Sequence, residues 1–281
     1  MDSTRHDKIT QFRSLHASGT LFVMPNPWNA GSARLLSTLG FSALATTSAG
    51  HAYSLGVKDS NRGLSRTSIL DNAQAIADAT DLPVSADMED GFGPSPEDCA
   101  ETIRQAVAAG LAGGSIEDAV GATASPILDL SLARDRIQAA AEAARPSGFV
   151  LTARAENYLW ERPDLADTIA RLQAYAEAGA DALFAPGLPD LETIRTVCRE
   201  VDKPVNVVMG LQGATYTVEA LAEAGVGRIS LGGSLARAAF GALVRAAREV
   251  LEDGTFTYAR DALPDRDVSA IMADRVEEDR K

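Results

Sequence analysis

The chain has 281 residues, a formal charge of −13 and an isoelectric point near 4.7. That balance makes nucleic acid and anionic membrane surfaces poor partners, and the length suits one large α/β barrel better than a minimal domain. The two cysteines, Cys99 and Cys198, fall in helical patterns and read as packed thiols, not as a disulfide or a metal pair.

In chain order, the opening Met1–Lys8 is polar and reads as neither signal peptide nor anchor. No apolar run approaches the roughly 18 residues of a membrane span. The expectation is a soluble, cytoplasmic protein. A unit then recurs: an Ala/Leu-rich amphipathic helix, a glycine, and a short apolar strand. It shows at Leu39-Gly40-Phe41, Ala109-Gly110-Leu111, Ala178-Gly179-Ala180 and Ala224-Gly225-Val226. Glycine just past a helix takes the left-handed cap that other residues resist.

Eight strands are predicted: Leu21–Met24, Ala43–Thr47, Pro83–Asp87, Gly113–Glu117, Phe149–Ala153, Ala182–Ala185, Val205–Met209 and Arg228–Leu231. Each is a near-continuous apolar run, as buried parallel strands are, and helical periodicity fills the gaps. The pattern predicts a single (β/α)8 TIM-type barrel domain over 1–281, the barrel at about 20–250 and a helical tail at about 255–281 with a last helix over Val268–Glu278. An open doubly wound sheet is the rival, weakened because no GxGxxG or GxxxxGK[ST] turn follows any strand.

The third strand runs into Asp87-Met88-Glu89-Asp90-Gly91-Phe92-Gly93. Three carboxylates in four residues repel one another unless a cation neutralises them, and an oxygen-only set suits Mg2+ or Mn2+. Taken alone, the turn reads equally well as a solvated acidic bend. Its neighbours at the other strand ends weigh for a site: Asn26-Pro27-Trp28-Asn29, Thr47-Ser48-Ala49-Gly50-His51, Glu117-Asp118, Arg154 with Glu156 and Asn157, Pro186-Gly187, Asn206, and Gly232-Gly233-Ser234. Active groups of such barrels gather at that face. The glycine pair after strand eight reads as a tight turn before it reads as a phosphate cradle. Four lysines, Lys8, Lys58, Lys203 and Lys281, leave none at a strand's C-terminal end for a Schiff base.

Ser54–Asn61, Asp87–Gly93, Ile116-Glu117-Asp118 and Thr152-Ala153-Arg154 together resemble the isocitrate lyase/phosphoenolpyruvate mutase superfamily, over about Met24 to Ser234. The resemblance implies a homotetramer of barrels with the eighth helix exchanged between paired subunits, a bound Mg2+ and a small 2-oxo acid or related dicarboxylate substrate. It implies Asp87 as direct metal ligand, with Asp59, Glu89 and Glu117 holding the metal's waters. Arg154 is similar to the substrate-carboxylate arginine, a task that suits a planar bidentate fork. Arg154, Glu117 and Asp59 are the expected catalytic groups; Thr47, Ser48, Ala49, Gly50, Asn206 and Trp28 complete the expected substrate contacts. Asp59 also reads as a helix cap and Arg154 as a structural ion pair.

One departure bears on the reaction. The family's lyases carry Lys-x-Cys-Gly-His on the loop after strand four, whereas 118–126 here has no Cys, Lys or His, and the polar Lys/Asn loop of the mutase and hydrolase branch is missing too. His51, Tyr53 and Glu156 are the remaining proton donors within reach, each also readable as a packing or capping residue. The expected activity is Mg2+-dependent C–C cleavage of a 2-oxo or 2-hydroxy dicarboxylate through a metal-stabilised enolate. The alternatives are P–C chemistry on phosphonopyruvate-like substrates, or a near-inactive binder of oxo acids.

Overall fold

A computed structural model describes residues 3–60, 63–121, 123–211, 213 and 215–273. Its strands are β1 (Phe22–Met24), β2 (Leu44–Ala45), β3 (Val84–Asp87), β4 (Gly113–Glu117), β5 (Val150–Arg154), β6 (Ala182–Phe184), β7 (Val205–Val208) and β8 (Arg228–Ser230). All pair in parallel in the order β1-β8-β7-β6-β5-β4-β3-β2. Across the remaining seam Ala45 N donates to Pro25 O (3.0 Å), so the sheet is a nearly closed barrel. The predicted strands are all present. The second is shorter than expected: Thr46 N still donates to Ser85 O of β3 (2.9 Å), but Thr47 has become the cap of the next helix.

Helices α1 (Ser3–Ala17), α2 (Ala30–Ser37), α3 (Ser48–Ser54), α4 (Arg66–Asp78), α5 (Pro96–Ala108) and α6 (Leu130–Ala144) belong to the first half. The second half has α7 (Leu165–Glu177), α8 (Leu191–Glu200), α9 (Val218–Glu223), α10 (Ser234–Arg248) and α11 (Asp265–Met272). Caps fix the start of most: Asn29, Thr47, Ser65, Ser95, Asp164, Asp190 and Thr217 each accept an amide of the first turn. No described helix is long and apolar enough to cross a membrane. Both cysteines are free, Cys99 buried on α5 and Cys198 half-buried on α8, and burial pushes both thiols up to about 11.

Helix α1 plugs the N-terminal end of the barrel. Ile9 and Phe12 pack with Phe22, Met24, Ala43 and Val150. The approach is close enough that a Cβ on Gly113 would sit 2.6 Å from Phe12 Cε1 and 2.8 Å from Val150 O. Ile9, Phe12 and Leu15 recur at a helical spacing, but a stripe one residue wide in an otherwise polar stretch is too narrow to reveal the helix from sequence alone. At the opposite end, the tail helix starts three residues before the expected Val268, and 274–278 lie outside the described residues. Arg34 on α2 donates to Met272 O and Ala273 O (2.7 and 2.9 Å), which lays α11 on its own barrel. Helix α10 behaves otherwise: Ala236 is its one fully buried residue, and Leu243 is 65% exposed.

Candidate active site

The acidic turn after β3 is built under strain. Glu89 and Phe92 hold φ of +46° and +60°, and Gly91 holds +80°; the first two are conformations that side chains disfavour. A buried guanidinium from the neighbouring helix holds the turn. Arg136 on α6 donates to Asp90 O, Gly93 O (2.6 Å) and Ser95 O (3.4 Å). The outcome is that Glu89 and Asp90 are buried, and Asp87 stands half-buried at the strand end.

Arg154, the last residue of β5, is the hub of the mouth. Its Nη1 lies 3.1 Å from Asp87 Oδ1, its Nη2 3.3 Å from Glu117 Oε2 and 2.7 Å from Glu156 Oε1, and its carbon Cζ 4.9 Å from the Phe184 ring centroid. Burial would lower the guanidinium pKa, but Glu156, Glu117 and Asp87 raise it. Asp87 Oδ2 accepts from Ser48 Oγ (2.8 Å) and Ser48 N (3.3 Å), so both its oxygens are aimed.

Beneath these groups a cavity of about 240 Å3 opens into the barrel. Of the sequence-predicted residues, Thr47, Ser48, Ala49, Asp59, Asp87, Arg154 and Asn206 line it. Glu89, Glu117, Gly50 and Trp28 do not: Glu89 is buried, Glu117 pairs with Arg154, and a Cβ on Gly50 would meet Trp28 Cβ at 2.9 Å, so Trp28 packs behind the turn. The amides of 47–50 are partly engaged, since this stretch is the first turn of α3: Gly50 N donates to Thr47 Oγ1. The turn after β8 is engaged too, with Leu231 N and Gly232 N both donating to Asn26 Oδ1 (2.8 and 3.0 Å).

Sequence reasoning passed over Thr46, Phe184, Arg228 and Ser230, which also line the cavity. Alternation along the strands was the available signal, since residues two apart share a face. Asp118, an acid beside Glu117 in sequence, faces away. It accepts from Tyr175 OH (2.6 Å), Arg171 Nη1 (3.0 Å) and Glu156 N (2.8 Å), and so fixes the backbone from which Glu156 grips Arg154.

The three proton-donor candidates separate. His51 turns toward Ser68 (3.4 Å) and does not line the cavity. Glu156 is buried against Arg154, its pKa raised by burial. Tyr53 is exposed on a neighbouring cleft shared with Asp59 and Arg237. The 118–126 loop closes on itself through an Ala119–Ile127 bridge, and Arg162 holds Ala124 O at 3.0 Å.

The donor set at the mouth is oxygen only. Among the described residues no three acids, imidazoles or thiols converge as a closed coordination shell. Their charges nonetheless act on one another. Burial and then the like charge of Asp87 raise Asp59, with Arg154 opposing. Glu117 is raised well above the usual range by burial, and by Glu156, Asp87 and Glu89 against the pull of Arg154. One facing carboxylate backed by others fits a hard divalent ion that keeps most of its waters.

A family model described as phosphoenolpyruvate phosphomutase matches residues 12–251. A 2-methylisocitrate lyase of Escherichia coli K12 is 34% identical, over 76% of this chain and 77% of the relative. A Burkholderia cenocepacia J2315 structure with a provisional lyase/mutase designation is 51% identical with a TM-score of 0.94, covering 98% of each chain. A phosphonopyruvate hydrolase solved with oxalate and Mg2+ is 26% identical with a TM-score of 0.86, covering 96% of each.

Proposed function

The chain belongs to the phosphoenolpyruvate phosphomutase family, and from that premise we propose that it is a Mg2+-dependent lyase breaking a C–C bond of a small 2-oxo or 2-hydroxy dicarboxylate. The observation that carries this reading is Arg154, clamped by three carboxylates over a cavity that Asp87 also faces. Names among the relatives support a hydroxy polycarboxylate: 2,3-dimethylmalate lyase, named for a dicarboxylate, at 27% identity, and 2-methylisocitrate lyase, named for a tricarboxylate, at 34%.

In this reading Asp87 holds the ion directly, and Asp59, Glu89 and Glu117 hold its waters; Mn2+ would serve in the same place. The ion supplies a Lewis acid for the substrate's 2-oxo group and for the charge that develops there as the bond breaks. The chain's own groups do the rest. Arg154 binds a substrate carboxylate through its fork, kept planar and oriented by Glu156 and Phe184. Ser48 keeps Asp87 turned toward the cavity. Asn206 offers a neutral amide at the deep end. None of the three proton-donor candidates lines the cavity; Tyr53, in the adjoining cleft that shares Asp59 and Ala49 with it, is the one we assign to deliver a proton to the departing fragment. Use of the β8 turn amides by Asn26 weighs against a phosphoryl cradle and hence against P–C chemistry.

Assembly follows the same lineage. We propose a homotetramer in which α10, largely uncovered in one chain, is exchanged with a paired subunit.

The test is thermal stability with Mg2+ across oxo acids, dicarboxylates and phosphonates, with pyruvate or phosphate release read in the same wells. Mg2+-dependent stabilisation by oxalate with pyruvate release from a dicarboxylate is expected, and its loss in Asp87→Ala. Intact turnover in that variant would sink the reading. Stabilisation without product would favour the oxo-acid binder, to which the loop lacking Cys, Lys and His already points.

A further inference from the structure

Arg228 opens β8, in register with Phe22 and Asn206 and two residues below Ser230. A two-residue step along a strand is about 6–7 Å, so its side chain enters the barrel beneath the groups at the mouth. It is 3% exposed and lines the floor of the same cavity as Asp87 and Arg154. Its partners are all neutral. Nε donates to Asn206 Oδ1 (2.8 Å), Nη2 to Thr152 Oγ1 (3.1 Å), and Nη1 to His16 Nε2 (3.0 Å). His16 must therefore carry its ring proton on Nδ1, which faces Phe12 O at 2.8 Å. No described carboxylate forms an ion pair with Arg228.

The contrast with the other buried arginines is informative. Arg154 has three carboxylates and Arg171 has two; Arg136 is held by three backbone carbonyls, but it clamps a turn and lines no part of the cavity, whereas Arg228 does line it. A buried guanidinium held only by neutral acceptors is oriented but not neutralised, and leaving it so is costly. Its partner Asn206 is held with Oδ1 on the guanidinium and Nδ2 on Ser230 Oγ (3.0 Å), which sets the amide's orientation in the cavity wall.

We infer that Arg228 is a specificity-determining and positioning residue: from the cavity floor its unneutralised charge selects doubly anionic small acids over singly charged ones, while its Nε fixes the Asn206 amide. This rests on the dicarboxylate reading above and adds to it the residue that reads the substrate's second charge. Mutual attraction between a buried charge and a ligand in a cavity of low dielectric is large enough to weigh one extra charge about tenfold in affinity.

His16 gives a way to test this from outside the cavity. It approaches Arg228 from α1 and does not line the site. His16→Glu places a carboxylate against the guanidinium and neutralises it in place; His16→Gln keeps a neutral acceptor. The probes are oxalate, a dianion, and pyruvate, a monoanion, each titrated calorimetrically with saturating Mg2+. The expected result is that H16E weakens oxalate about tenfold and pyruvate less than about threefold, while H16Q leaves their ratio unchanged. A folded H16E with an unchanged oxalate-to-pyruvate ratio would overturn the inference. Should H16E not fold, R228K against R228Q decides: the lysine is expected to keep the preference for the dianion and the glutamine to lose it, and equal ratios in the two overturn the proposal. Absence of Mg2+-dependent oxalate binding in the unsubstituted chain would overturn the parent reading and this one together, whereas intact selectivity in the variants removes this one alone.

Discussion

Replacing Asp118 with asparagine separates a structural acid from a catalytic one. Asp118 is 3% exposed, and its two oxygens accept three hydrogen bonds, from Tyr175 OH, Arg171 Nη1 and Glu156 N. Asparagine has one acceptor where the carboxylate has two. If its oxygen serves Glu156 N, its NH2 faces the Arg171 donor; if it serves Arg171, the Glu156 amide is left unpaired. Either arrangement orphans one buried donor, at about 1–3 kcal/mol, and removes a charge from Arg171. That arginine keeps Asp167 (2.7 Å) and Leu128 O (2.9 Å), which limits the further loss. We expect D118N to destabilise by about 2–4 kcal/mol and Tyr175→Phe by about 1.5 kcal/mol. The double variant should cost less than the sum, because the two share a partner. Urea unfolding at fixed protein concentration, with m unchanged, measures all three. A D118N within about 1 kcal/mol of the parent that has nonetheless lost turnover would refute the anchor role and place Asp118 in the chemistry.

Arg154→Gln removes the fork proposed to bind the substrate carboxylate, and oxalate affinity with Mg2+ should fall by at least about a hundredfold in calorimetry; retained affinity would move the carboxylate site elsewhere. His16 in the folded chain is held down to about 3 by burial and by Arg228, against an ordinary value of 6.5. Unfolded, it takes a proton first, so stability attributable to it is complete above pH 6.5 and is lost as pH falls toward 3. The slope approaches about 1.4 kcal/mol per pH unit, and His16→Gln should flatten that part of the stability–pH curve. Gly113→Ala must displace Phe12 or the Val150 carbonyl, costing about 1–3 kcal/mol in thermal or urea unfolding; an unchanged midpoint would show that α1 sits less tightly than described.

Much of the barrel was legible because parallel strands buried on both faces leave unbroken apolar runs, and glycine marks most of the helix ends. Helix α1 was not, since Ile9, Phe12 and Leu15 are too sparse to announce a buried face until the barrel bottom is there to receive them. At the mouth, residue type and strand-end position brought out Asp87, Arg154 and Asn206, and the family resemblance added Asp59; the four do meet around one cavity. Adjacency misled at Asp118: neighbouring strand residues point to opposite faces, so an acid beside Glu117 serves Tyr175 instead. Arg228 was hidden for a related reason. Counted as the first residue of an apolar strand, it carries no local sign that its charge ends in the interior. Trp28 drew notice as an aromatic at a strand end, yet its position is set by packing on Gly50.

The hold of Arg136 on the acidic turn also orders events in time. Asp90 precedes Arg136 by 46 residues, and between them lie α5, β4 and the loop after it. During synthesis the turn emerges well before the helix that fixes its left-handed backbone. Until α6 docks, Glu89 and Phe92 are free to relax toward ordinary conformations, and the carboxylates have no set direction. On the Mg2+ reading proposed above, affinity for the ion would therefore arrive late and all at once, with the closing of a non-local contact. A chain stalled before α6 would have most of its acids and none of the proposed site, and on that reading the onset of Mg2+ binding during refolding would time the docking of that helix.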